Sequence, residues 1–233
     1  MGVWMMRRIL DLAVSIAVIT ASGVLVWSLL VRPAVREPVA VGAVRPAVGD
    51  IPFEGAPVRG LASATVGLVV FSDFECSFCR RLDQETLPAI FRNYVETGKA
   101  LLGFRHLPLS IHPRARAAAE AAECAYRQQL FWPVAQVLFK EPVGPAGQDL
   151  RRLAELADLN EAQFLACTSG EASEAITRDE GLARELRVTG TPTTILGLVI
   201  GGRILEARRA VRGAQPFDVF EEELLKLIDL GGR

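Results

Sequence analysis

Two cysteines three positions apart, Cys76 and Cys79 in the stretch FSDFECSFC, are the residues of this 233-residue chain whose types and spacing best suit chemistry. Such a pair either exchanges disulfides or holds a soft metal. In the first case one thiolate attacks a disulfide and the second thiol resolves the mixed intermediate. The i to i+3 spacing places both sulfurs on one helix face and within reach of a bond to each other. If Cys76 stands at a helix N-terminus, the unsatisfied backbone N–H groups and the positive dipole end lower its pKa. That makes Cys76 the expected nucleophile and Cys79 the resolving thiol. Arg80 and Arg81 add positive potential while Asp73 and Glu75 oppose it, so geometry must set the net sign. A closed zinc site needs four ligands, and no second Cys-x-x-Cys follows. Cys124, Cys167, His106 and His112 would all have to converge. The redox reading is preferred, and no metal is assigned.

The redox chemistry requires a strand that ends just before Cys76 and a helix that starts there. Thr65 to Phe71, TVGLVVF, is a continuous apolar, β-branched run suited to a central strand buried on both faces. After Cys76, the apolar positions Leu82, Leu87, Ile90, Phe91 and Tyr94 predict a helix to about Thr97, kinked at Pro88 and stopped by Gly98. A second strand is expected over Ala100 to Leu107. The stretch from Arg114 to Leu186 is rich in Ala, Glu, Leu, Arg and Gln and reads as several helices. Asp149 is a candidate cap for one, and Asn160 with Gln163 a candidate capping box for another. Strand character returns at Thr193 to Ile200, followed by a Gly201-Gly202 turn and a strand from Arg203, which together predict a hairpin. Pro216 to Leu230 carries the stripe of an amphipathic helix. The order is strand, helix, strand, helical insert, hairpin, helix, an α/β thioredoxin-like fold with a helical insertion.

Ahead of this domain, Ile9 to Val31 carries a single charge, Asp11, and as a helix reaches about 35 Å, enough to span a bilayer. A cleavable signal peptide ending near Ala21 is the alternative. The apolar run continues ten residues beyond it, so an uncleaved anchor is preferred. Residues 32–60 hold Pro33, Pro38, Pro46, Pro52 and Pro57 without helical periodicity and read as a proline-rich linker, leaving 61–233 as the folded domain with its insert at about 114–186. Four cysteines in a chain that enters the membrane early favour an oxidising, extracytoplasmic compartment. With 26 Lys plus Arg against 27 Asp plus Glu, the chain lacks the basic footprint of a nucleic-acid binder.

FSDFECSFC, RHLPLSIHPRARAAAEAAECAY, VTGTPTTI and VRGAQPFDVF together resemble the DsbA-like branch of the thioredoxin superfamily, from about Thr65 to the C-terminus. The resemblance implies that Thr191-Pro192 is a cis peptide beside the redox pair, with the Thr191 backbone offered to an incoming peptide. It also implies reoxidation by a quinone-linked membrane partner. Two positions depart from the family pattern. Val70 stands where relatives keep a buried acid that serves the resolving thiol, and Ser77-Phe78 stands where strongly oxidising relatives place a histidine, which implies a weaker oxidant.

Cys124 and Cys167, 43 positions apart within the insert, are expected to form a structural disulfide worth about 4 kcal/mol in the chain-entropy model. Two buried thiols that never meet are the alternative. His106 and His112 can approach the site, but local hydrogen bonding is the preferred reading of both. Phe74 and Phe78 are candidates to line an apolar peptide groove beside Cys76. The expected function is disulfide exchange with thiol-bearing extracytoplasmic client proteins, in the oxidising direction and without a diffusible cofactor. An extracytoplasmic reductase and a copper(I) metallochaperone are the alternatives.

Overall fold

The computed structural model describes residues 44–47, 49–141 and 147–231. The anchor expected at residues 9–31 lies outside them, and among the described residues no helix is long and apolar enough to cross a membrane. The described residues all belong to one compact unit, Val39–Arg233.

Seven strands form one sheet: β1 (Val44–Pro46), β2 (Asp50–Pro52), β3 (Val58–Arg59), β4 (Val66–Ser72), β5 (Ala100–His106), β6 (Thr193–Ile200) and β7 (Ile204–Arg212). Their order is β1-β7-β6-β4-β5-β3, with β2 also on β7. β4 lies parallel to β5 and antiparallel to β6, and all seven of its residues are buried, as a continuously apolar central strand requires. The hairpin of β6 and β7 turns through Gly201 and Gly202 at φ +59° and +68°, the left-handed pair that matches the twist of the flanking strands. At the β6 bulge after Leu196, a side chain on Gly197 would meet the Glu206 carbonyl oxygen at 2.0 Å, so only glycine fits there.

The sheet corrects the reading of residues 32–60 as a linker over its described part, from residue 44 on. Within that stretch β1 and β2 pair with β7 and β3 pairs with β5, while Ile51, Phe53 and Ala56 are buried in the domain. Pro46 in β1 and Pro52 in β2 are at home here, because an edge strand need not donate every N–H. The folded domain therefore begins well before residue 61.

Following β4, α1 (Ser77–Arg81) runs through π-helical turns at Leu82–Thr86 and Phe91–Val95 that flank α2 (Leu87–Ile90). The irregularity surrounds Pro88, which lacks an N–H for the helical ladder, and the chain leaves the helix at Gly98, φ +74°. Between β5 and β6 lie α3 (Ala115–Arg127), α4 (Phe131–Lys140), α5 (Gly147–Leu156), α6 (Glu161–Thr168) and α7 (Ser173–Glu185). Asn160 caps α6, its side chain accepting the Gln163 N–H at 3.0 Å. Asp149 falls inside the first turn of α5, where it favours the helix dipole and is not the cap. Cys124 on α3 and Cys167 on α6 are joined by a disulfide, with Cα atoms 5.7 Å apart. α8 (Phe217–Gly231) closes the opposite face, burying Val219, Phe220, Leu224 and Leu227 over β4 and β6.

One buried ion pair ties these parts together. Arg105 on β5, 1% exposed, donates to Asp179 on α7 at 2.8 Å and also to the carbonyls of Pro52, Glu54 and Gly55. The second Asp179 oxygen accepts the His106 N–H at 2.9 Å. The helical insert, the centre of the sheet and the N-terminal edge strands meet at this guanidinium.

Candidate active site

β4 ends at Ser72, and the turn Asp73 to Cys76 carries the chain onto α1. The Cys76 N–H closes that turn on the Asp73 carbonyl at 3.2 Å. Cys76 is the N-cap of α1 in an extended conformation, while Cys79, one turn on, is 1% exposed among apolar side chains. The two are free thiols. Thr191-Pro192 is a cis peptide just before β6, and the Cys76 thiol donates to the Thr191 carbonyl at 3.5 Å. The Thr191 hydroxyl is buried beside the two sulfurs.

The environments of the two sulfurs differ sharply. A hydrogen bond from the Cys79 thiol, assisted by Thr191 and by the backbone N–H groups of Cys79 and Phe78, outweighs burial and lowers the pKa of Cys76 to about 5. Burial, followed by the hydrogen bond to Cys76, drives Cys79 the opposite way, well above an ordinary thiol. One sulfur is thus a stabilised thiolate at neutral pH and the other a protonated, shielded thiol. In the reduced protein, alkylation of Cys76 should rise through pH about 5 and level off, with Cys79 unmodified. Mass mapping of carbamidomethylated peptides across pH checks this, and a midpoint near the ordinary value of about 8.5 would refute it. By linkage, the depressed pKa stabilises the folded reduced form fully above about pH 8.5. That stabilisation disappears as pH falls through about 5.

Val70, where an acid is absent, is 2% exposed in the apolar cluster of Leu82, Leu196 and Phe220. Phe78 is 53% exposed next to the pair, with the Arg81 guanidinium 5.1 Å from its ring centroid. Phe74 corrects the expectation of a groove residue. It is 1% exposed and packs on Phe104 and Phe139, with centroids at 5.5 and 4.8 Å, because the turn before Cys76 directs it under the helical insert. His106 is fully buried beside the same rings, its Nε2 3.7 Å from a Glu123 carboxylate oxygen.

His112, expected to bond locally, instead bridges to the catalytic turn: its Nδ1 lies 2.7 Å from Asp73 Oδ2, 39 positions away. Asp73 is 2% exposed and also accepts the N–H groups of Glu75 and Leu109. Glu75 in turn accepts the Arg114 backbone N–H at 2.7 Å and pairs with its side chain at 3.2 Å. The acids flanking the first cysteine and the cations of the HPR stretch were both visible in sequence, but nothing local paired them. Among the described residues, no group of three or more His, Cys, Asp or Glu side chains is placed to hold a metal ion.

A central strand that delivers a Cys-x-x-Cys pair to a helix N-terminus opposite a cis-proline defines a thioredoxin-like dithiol protein. A family model described as Thioredoxin matches residues 53–214, and the chain belongs to that family. Among solved structures, Wolbachia pipientis alpha-DsbA1 superposes with a TM-score of 0.65 at 22% identity, covering 78% of this chain and 94% of the other. Oxidised BdbD from Bacillus subtilis gives 0.66 at 20% identity, covering 79% and 100%. The fold is therefore the DsbA-type elaboration of thioredoxin. By sequence, the chain is 38% identical over 142 residues to a protein named Na(+)/H(+) antiporter NhaA 3 of Salinispora tropica, covering 58% of this chain and 21% of that one. It is 27% identical over 144 residues to a probable disulfide bond formation protein D of Bacillus anthracis, covering 58% and 66%. The chain thus spans about a fifth to a quarter of the antiporter-named relatives it matches.

Proposed function

We propose that this protein is a thiol–disulfide oxidoreductase that introduces disulfides into extracytoplasmic client proteins. The observation that carries the reading is the split between Cys76, a low-pKa thiolate at a helix N-cap beside cis-Pro192, and Cys79, a buried high-pKa thiol. The oxidising cycle starts when a client thiolate attacks Cys76 in the Cys76–Cys79 disulfide and Cys79 departs with the electron pair and takes a proton. A second client thiolate then attacks the client sulfur of the mixed disulfide. The client disulfide forms, the bond to Cys76 breaks, and Cys76 leaves as a thiolate, so the client loses the two electrons that the enzyme gains. Stabilising that thiolate stabilises the reduced enzyme and favours oxidation of the client.

The Thr191 backbone beside the cis-proline is the docking edge for the client chain, and the exposed ring of Phe78 is the adjoining apolar contact. Placement outside the cytoplasm is supported by the Cys124–Cys167 disulfide, a bond that persists in oxidising compartments. The apolar segment at residues 9–31 would hold the domain at the membrane, within reach of a membrane partner that reoxidises it. Thiol trapping in the native cells tests the direction: a resting Cys76–Cys79 pair that is mostly oxidised supports the oxidase. A pair that is mostly reduced assigns the reductase role instead.

A further inference from the structure

The turn that presents Cys76 contains two acids, Asp73 and Glu75, whose negative charge works against a thiolate three residues and one residue away. The positions between the cysteines, Ser77 and Phe78, supply no positive charge in return. The loop after β5 supplies it. Arg114 meets Glu75 through both its side chain and its backbone N–H. His112 meets Asp73 at 2.7 Å, and the Asp73 main-chain carbonyl is the group that holds the Cys76 N–H. One buried residue therefore grips the nucleophile's backbone with its carbonyl and an imidazole with its carboxylate.

We propose that His112, held by Asp73, is a positioning residue that keeps a titratable positive charge beside Cys76 and makes the thiolate's stability depend on pH. The proposal rests on the reading of Cys76 as nucleophile, not on the direction of exchange or on the client.

The charged and titratable groups around this imidazole are Asp73, Glu75 and Cys76 on the β4–α1 turn and Arg114 on its own loop. The hydrogen bond to Asp73 does most to raise the His112 pKa, burial opposes it, and the charges on Asp73, Cys76 and Glu75 each add a smaller upward effect. The imidazolium cancels the Asp73 charge and, when the mixed disulfide breaks, its positive charge attracts the electron pair that arrives on Cys76 Sγ. No proton need leave the ring in that step. Because the pKa is raised, the stabilisation is complete below the ordinary imidazole range and is lost as pH rises through the elevated value. The ring is about one fifth exposed, so solvent protons reach it without unfolding.

Coupling between two titrating groups is reciprocal, which provides two independent readouts. In the full chain with the pair reduced, ultraviolet absorbance of the thiolate followed against pH should show the Cys76 midpoint rising by about one unit in both H112A and H112Q. That corresponds to about tenfold less thiolate at a given pH below the midpoint. H112Q retains a hydrogen-bond donor toward Asp73, so a purely structural role would leave its midpoint unchanged. In the unsubstituted chain, NMR titration of the His112 ring should give a lower pKa when Cys76 and Cys79 are oxidised than when they are reduced. Unshifted Cys76 midpoints in folded variants, or one His112 pKa in both redox states, overturn the proposal. If neither variant folds, the titration of the unsubstituted chain decides alone. Failure of the oxidase reading would appear in thiol trapping and would leave both titrations as expected.

Discussion

Cys79→Ala should convert the protein into a trap: incubated with a disulfide-bearing client, it should accumulate a mixed disulfide through Cys76 that persists for the length of the experiment. Attack needs only a Cys76 thiolate: the substitution removes the Cys79 hydrogen bond that most lowers its pKa but leaves Cys76 at the N-cap of α1 with the backbone N–H groups of residues 78 and 79. Resolution needs a second sulfur on the same helix face, and an intramolecular thiol has an effective molarity of roughly 10⁵ M or more when well placed. Its loss should slow resolution by at least about 10³-fold. Cys79 is 1% exposed, so no external thiol is expected to reach the same position. Cys76→Ala should form no adduct, because the remaining thiol is buried and has a raised pKa. Non-reducing electrophoresis and intact mass check both variants. Adducts on Cys76→Ala with none on Cys79→Ala would reverse the assigned roles.

The second large effect is on stability. Asp179→Ala leaves the Arg105 guanidinium, 1% exposed, without its carboxylate and removes the acceptor of the His106 N–H. Breaking a buried pair from one side costs about 3–5 kcal/mol, against about 5–15 kcal/mol for a whole domain. Chemical denaturation should register that loss. Replacing both partners with apolar residues, Arg105→Met with Asp179→Leu, should recover part of it, since no buried charge is then left alone. A loss below about 1 kcal/mol in the single variant would mean that solvent or the carbonyls of Pro52, Glu54 and Gly55 satisfy the cation unaided. Function should follow stability, because Arg105 lies directly beside Phe71 in the β4–β5 register, one residue before the end of the strand that leads to Cys76.

The two effects act at different points. Removing Cys79 should leave the fold and stop the cycle midway, whereas removing Asp179 should leave the cysteines and loosen the sheet that aims them. Measuring alkylation of Cys76 and the unfolding transition on the same samples separates them.

Patterns that repeat along the chain determined much of this protein. The continuous apolar run of β4, the glycine turn between β6 and β7, the stripe on α8 and the Cys-x-x-Cys at a strand–helix junction each rest on neighbours in sequence and are visible from residue types alone. The same holds for the helical character of the insert and the Asn160 cap.

Only tertiary structure decided the rest, because the deciding partners are far apart in the chain. β1, β2 and β3 are two or three residues long, too short to show a period. Their strand character comes from β7 and β5, so a proline-rich composition disguised them as a spacer. Phe74 stands two positions from the nucleophile, yet the insert draws it into the core against Phe104 and Phe139. His112 gained its place beside the catalytic turn from a carboxylate 39 positions earlier, and Arg105 its partner from 74 positions later. An isolated charge in a sequence carries no record of what will neutralise it. The fold supplies that pairing by excluding water from Asp73 and Asp179 and leaving each with a defined set of donors.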